Sequence, residues 1–227
     1  MGLDTEISRG RLPRGMHGLD PADVVHSQRM RMYFGVLEAV SERGFGATTV
    51  ADIVARANVS RRTFYQQFKG RDDCFAGAFD SAVELVLGYL DDSIRDTPHT
   101  DWRALIHTTL REYLHHLTAN GYCARALHIE ALVAGPVVAE QRRNMKTLLA
   151  QRMRAAFQIG RGVGDIPVAV PDETFESLIG AIDDRIRDCL QIQGPDALPT
   201  LLPHLYQITL ALFGTPDWEP ESLSGTP

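Results

Sequence analysis

Residues 49–68 read TVADIVARANVSRRTFYQQF, and their punctuation predicts two short helices joined by a tight turn. Thr49 and Asp52 stand three apart, the spacing of a capping box with Asp in place of Glu. Each side chain then serves a backbone N–H that a helix start leaves without a partner. Ile53 and Val54 give this helix an inner face, and Asn58 suits the left-handed position that ends it. Ser60 caps a second helix. Val59 before that cap and Phe64 four positions inside have the spacing of a hydrophobic staple, which sets the entry angle. Phe64 and Phe68 form the inner face, so Arg61, Arg62, Thr63 and Gln66 are left largely outside, near the helix start.

A polar, cationic helix start is what a helix-turn-helix puts into the major groove. A guanidinium donates two parallel hydrogen bonds to the O6 and N7 edge of guanine, whereas hydroxyls, phenols and ammonium groups hold the phosphate backbone. Arg61 and Arg62 are therefore the candidates for base reading. Tyr65 and Lys69 are placed for phosphates, as is Thr49, whose cap lies at a positive helix end. Ser60, Thr63 and Gln66 complete the DNA-facing set. An isolated arginine is more often a solvated surface charge, so the reading rests on the whole string.

Working outward, almost every long segment repeats apolar residues at three- and four-residue steps, and no sustained alternation marks a sheet, so the fold class is all-α. The Gly- and Arg-rich residues 1–20 read as a flexible basic arm. Asp20 caps a first helix with Pro21 at its first position, a stripe of Tyr33, Val36, Leu37 and Val40, and a stop at Gly44. A long helix from about Arg71 to Ile94 carries Phe75, Ala78, Phe79, Ala82, Leu85, Val86 and Tyr89 on one face. Asp101 caps the next, with Trp102, Leu105, Ile106, Thr109, Leu110, Tyr113 and Leu117, and Asn120-Gly121 stops it. A shorter helix covers Tyr122 to about Ala134. After Gly135-Pro136 comes a helix with Met145, Leu148, Leu149, Met153 and Phe157, then a loop from Gly160 to Pro171. Asp172 caps a helix with Phe175, Leu178, Ile179, Ile182 and Ile186. The last helix spans roughly Leu198 to Phe213, where Pro203 implies a kink or a later start. The tail from Gly214 to Pro227 is expected to be disordered.

Composition fits this organisation. With 227 residues, 44% hydrophobic and 23% charged, the chain is long enough to bury a core in one or two domains and too apolar to be disordered. The net charge of −6 is uneven: residues 1–71 hold eleven Arg and Lys against seven Asp and Glu, or +4, which leaves −10 for the rest. A basic head on an acidic body is compatible with a nucleic-acid partner. No apolar run is long enough to span a membrane and the first twenty residues lack a signal-peptide core, so the expected location is the cytoplasm. Cys74, Cys123 and Cys189 lie far apart and read as small buried hydrophobes. No catalytic motif, cofactor or metal-ligand set stands out among the residues, the eight histidines included. Gly160, Gly162 and Gly164 lack the strand and the spacing of a nucleotide loop.

The whole string, including Ala57-Asn58-Val59-Ser60, Thr63-Phe64-Tyr65, Phe68 and Arg71-Asp72-Asp73-Cys74-Phe75, closely resembles the TetR family over roughly Gln28 to Leu87. Asn58 stands where the family usually has Gly, and Arg62 where Gly is common. The resemblance implies a three-helix DNA-binding domain at 21–70 and a helical ligand-binding and dimerisation domain at 71–213. It also implies a non-enzymatic homodimer on double-stranded DNA, with a palindromic operator and release by a small-molecule ligand. The dimer seam would come from the last two long helices. Thr109, Tyr113 and Glu130 interrupt the mostly apolar central faces and are the candidates for a polar ligand contact, against the commoner alternative of internally satisfied groups. The competing reading is a helical ligand-binding or interaction protein without DNA-dependent regulation.

Overall fold

The computed structural model describes residues 21–167 and 169–214, and among them every regular element is helical. In chain order these are α1 (Pro21–Arg43), α2 (Val50–Ala57), α3 (Arg61–Gln67), α4 (Arg71–Ser93), α5 (Trp102–Ala119) and α6 (Gly121–His128). A 3-10 turn (Glu130–Leu132) precedes α7 (Pro136–Gly162), α8 (Glu173–Ile192), a second 3-10 segment (Pro195–Leu201) and α9 (Leu202–Leu212). The arm at 1–20, its Asp20 cap and the tail at 215–227 lie outside the described residues. None of the described helices is by itself long and apolar enough to cross a membrane.

The described residues divide into two compact units, one running to Leu85 and taking in Asn120–Arg142, the other comprising Val86–Ala119 and the residues from Arg143 onward. In the first, α1 ends where Gly44 takes φ +81° and its N–H donates to the Val40 carbonyl at 2.9 Å. Without a Cβ, glycine enters this left-handed conformation freely. Phe45 then turns inward onto Phe75, with ring centroids 5.1 Å apart. The core joins Met32, Val36, Leu37 and Val40 of α1 to Ile53 of α2, Phe64 of α3, Phe68, and Cys74, Phe75 and Phe79 of α4. Gly35 brings α1 close to α2: a Cβ there would lie 3.1 Å from the Ile53 carbonyl oxygen and 3.3 Å from the Ala57 nitrogen. Phe64 is fully buried, and its truncation to Ala costs about 3–5 kcal/mol by the usual core cavity penalty.

In the second unit Asp101 caps α5 as expected, accepting the Ala104 N–H at 2.9 Å. Trp102, Phe157, Phe175 and Phe213 are buried together, with Phe157 and Phe213 centroids 5.0 Å apart. The apolar residues expected on α8, from Phe175 to Ile186, are all buried. Several local expectations need correction. The helix after Asn120 stops at His128, and residues 130–132 form the 3-10 turn. Gly160 lies inside α7, which continues to Gly162, and Gly164 makes the turn with φ +85°. Asp172 does not cap α8: its backbone is already helical, and its carboxylate pairs with Arg154 at 3.0 Å. Pro203 is accommodated by the later start, at the second position of α9, where no N–H is needed. Leu85 and Leu148 are exposed, because the buried line of α4 runs Phe79, Ala82, Val86, Leu90, and that of α7 through Met145, Ala150 and Met153.

Candidate nucleic-acid interface

The α2–turn–α3 segment is held by the local chemistry that its sequence announces. The Thr49 N–H donates to Asp52 Oδ2 at 2.9 Å, and the Asp52 N–H donates back to Thr49 Oγ1 at 3.3 Å, closing the capping box. The Thr49 hydroxyl and amide hold the Asp52 carboxyl below the ordinary carboxylate range, with Arg43 and Arg56 adding to the effect. Asn58 takes φ 51° and ψ 52° and ends α2 with its N–H on the Val54 carbonyl. Ser60 Oγ accepts the Thr63 N–H at 3.0 Å, so α3 begins with its first turn fixed. Phe64 and Phe68 face inward with centroids 5.5 Å apart, and Tyr65 lies edge-on to Phe64 with more than half its surface exposed.

This geometry sorts the cations of the head into two kinds. Five of the eight between Pro21 and Arg71 have a bound head group. Arg31 donates to the Ala57 carbonyl at 3.0 Å, closing the end of α2, and Arg29 donates to Gln67 Oε1 at 3.3 Å. Arg43 pairs with Asp52 at 3.2 Å, and Arg56 pairs with Glu42. Arg71 donates to the carbonyls of Phe45 at 2.9 Å and Thr48 at 3.2 Å while lying 4.1 Å from the Phe45 ring centroid. Arg61, Arg62 and Lys69 are exposed, and their charged groups make no hydrogen bond or ion pair among the described residues. Thr49, Ser60 and Gln66 are exposed as well, and Thr63 is half-buried. The hydroxyls of Thr49 and Ser60 already serve as caps, so a phosphate would share them with the helix starts.

The proposed ligand residues fall in different units. Tyr113 is buried and Thr109 half-buried on α5, within the second unit. Glu130 is buried in the first, where it accepts the Phe45 N–H at 2.8 Å and pairs with Arg125 at 3.6 Å. A cleft of about 310 Å³ in the second unit is lined by none of the three. Its wall includes Tyr89, Arg111, Glu112, Leu114 and His115. There the Tyr89 hydroxyl donates to Glu112 Oε2 at 2.7 Å, and this bond, helped by Arg111, keeps the Glu112 carboxyl below its ordinary range. Tyr89 and Glu112 are 23 positions apart, and no short-range signal could have joined them.

Cys74 and Cys189 are buried and Cys123 is half-buried. Burial pushes all three thiols up, Cys123 to about 12, so they stay protonated at neutral pH and pack as small apolar groups. Among the described residues no three His, Cys, Asp or Glu side chains are grouped to hold a metal ion.

Residues 37–78 match the sequence model of the family described as bacterial regulatory proteins, tetR family. No curated relative matches the chain by sequence. Solved structures share the fold across most of its length. The fatty acid degradation regulator FadR of Bacillus halodurans superposes with a TM-score of 0.71 at 14% identity, over 85% of this chain and 96% of that one. FadR of Bacillus subtilis in complex with stearoyl-CoA gives 0.70 at 14% identity, over 80% and 97%. SmeT, the repressor of the Stenotrophomonas maltophilia multidrug efflux pump SmeDEF, gives 0.63 at 16% identity, over 81% and 88%.

Proposed function

We propose, from the match of residues 37–78 to the TetR-family model and the shared fold, that the chain is a TetR-type, sequence-specific, homodimeric repressor released from a palindromic operator by a small molecule. The observation that carries the DNA-binding part is the outer face of α3. Its capped start presents Arg61 and Arg62 with no competing partner among the described residues, while the neighbouring arginines hold the head together. Arg61 and Arg62 read bases, Tyr65, Lys69 and Thr49 hold phosphates, and Ser60, Thr63 and Gln66 line the same face. The domain division at residue 70 belongs to the same proposal, with the head at 21–70 and the sensing and dimerising body at 71–213. Exposed Ile192 and Leu212, at the ends of α8 and α9, favour those helices as the seam.

The ligand part is supported by kinship of fold with a regulator solved with stearoyl-CoA and with an efflux-pump repressor. The effector of this reading is small and largely apolar and binds within the helical body, with Thr109 and Tyr113 of α5 as its polar contacts. Linkage fixes the scale. A ligand that weakens DNA binding tenfold favours the DNA-free state by about 1.4 kcal/mol, and DNA weakens ligand binding by the same factor.

Selection from random-sequence duplexes followed by footprinting tests the core of this reading. The expected product is an approximate palindrome with half-sites about 34 Å apart or a multiple of it, and affinity falling steeply with salt. An asymmetric footprint, or no selected sequence, refutes it.

A further inference from the structure

The peptide of Phe45 is gripped from both sides by charged groups far away in sequence. Its N–H donates to the buried Glu130 carboxylate at 2.8 Å, and its carbonyl accepts from Arg71 at 2.9 Å. The Glu130 bond bridges 85 positions, from the 3-10 turn after α6 to the loop between α1 and α2. The rest of the loop is held by its own groups and by Arg71 of α4. The Gly44 N–H returns to Val40, the Thr48 hydroxyl donates to the Gly44 carbonyl at 2.9 Å, and Arg71 reaches the Thr48 carbonyl at 3.2 Å. Thr49, the cap of α2, follows at once, so the direction in which α2 and α3 leave the loop depends on how the Phe45 peptide is held.

We infer that Glu130 is a positioning residue for the reading head: its carboxylate fixes the Phe45 peptide, and through it the α2–α3 pair. Three observations carry this. The acceptor is charged and faces a buried N–H, an arrangement about twice as strong as a neutral pair and costly to leave half-made. Within the loop the carbonyls of Gly44, Phe45 and Thr48 accept from the Thr48 hydroxyl, the Thr48 N–H and Arg71, and the Phe45 N–H is met by Glu130. Glu130 also stands on an element outside the helix-turn-helix, so the orientation of α3 is set partly by the turn after α6. The role in DNA reading rests on the proposed function, whereas the grip on the loop does not.

The test uses the full chain with Glu130→Leu, Glu130→Gln and Arg125→Gln. Amide hydrogen exchange reports on the loop without DNA. A duplex selected by the wild-type chain from a random library, paired with a scrambled duplex, reports on reading. In Glu130→Leu the Phe45 amide is expected to exchange about tenfold faster, with faster exchange spreading to Thr48–Ile53, and selected-duplex affinity to fall about tenfold relative to the scrambled one. Glu130→Gln keeps an acceptor oxygen and restores most of both. Arg125→Gln leaves the Phe45 bond in place and changes neither. A merely structural role would lower the melting temperature and leave the affinity of the folded fraction unchanged. Unaltered Phe45 exchange in Glu130→Leu overturns the inference, and so does faster exchange with unchanged preference for the selected duplex. If the wild-type chain selects no duplex, the DNA-binding reading falls, and exchange alone decides whether Glu130 holds the loop.

Discussion

Arg62→Ala separates reading from folding. The guanidinium is exposed and without a partner among the described residues, so its loss removes no bond of the fold and stability should stay within about 0.5 kcal/mol of wild type. If Arg62 reads a base as proposed, the same change removes a bidentate contact worth about 1–3 kcal/mol, a roughly five- to 150-fold loss on the selected site. The loss should be concentrated at one base pair of each half-site. Lys69→Ala is the counterpart, because in the proposed reading its exposed ammonium, at the end of the same face, holds phosphates and carries no base information. Arg61, Arg62 and Lys69 make no ion pair among the described residues, so the proposed dimer would offer six cations, for a slope of log affinity against log salt of about −5. Lys69→Ala should reduce that slope by about two, one per head. Fluorescence anisotropy on matched and single-mismatch duplexes at four salt concentrations reads both effects. Equal loss of specificity in the two variants, or a fall in melting temperature for Arg62→Ala, refutes the assignment. Arg61 exchanges roles with Arg62 if the helix sits rotated in the groove.

Three further predictions follow from the backbone and its caps. Asn58 sits at φ 51°, so Asn58→Gly should stabilise the chain by a few tenths to about 1 kcal/mol in denaturant unfolding while Asn58→Ala destabilises it, and the reverse order would contradict the left-handed turn. Gly35→Val should cost about 1–3 kcal/mol by pushing α2 away, whereas Gly88→Ala, with open space around it, should stabilise α4 by roughly 0.5–1 kcal/mol. Asp52 has a lowered folded pKa, so the capping box adds stability above the unfolded carboxyl value and loses it as pH falls through the lower folded one. The Asp52 carbon resonance should titrate with a midpoint below about 3.9, and a midpoint at or above that value would show that the box does not hold in solution.

What the sequence made legible is what local chemistry determines. The capping box, the left-handed Asn58, the Ser60 cap and the Phe64–Phe68 face each depend on residues no more than four apart, and all four are present. The class of the fold followed from helical periodicity for the same reason. Competition between distant groups was not legible. Asp172 has the residue type of a cap, but Arg154 on α7 takes its carboxylate. Leu85 fits an ideal stripe drawn at three and four residues, yet the buried line of α4 passes through Val86 and Leu90. Glu130 reads in the sequence as a polar interruption of an apolar face, and nothing near it reveals that its carboxylate accepts the Phe45 N–H, 85 positions away.

The same competition bears on how a chain of net charge −6 could carry the proposed cationic reading face. The sum counts every arginine alike, but in the proposed reading DNA is met by those whose head groups are not already held by the fold. In the head, Asp52 and Glu42 neutralise Arg43 and Arg56, and carbonyl oxygens of Ala57, Phe45 and Thr48 occupy Arg31 and Arg71. Removing one of these committed arginines therefore differs in kind from removing Arg61 or Arg62. Without Arg71, the Thr48 carbonyl loses its guanidinium donor and the Phe45 carbonyl keeps only the Thr48 N–H, so the loop before α2 would loosen with no change at the proposed phosphate contacts. Binding would then fall on every sequence, through the geometry of the head and not through its charge.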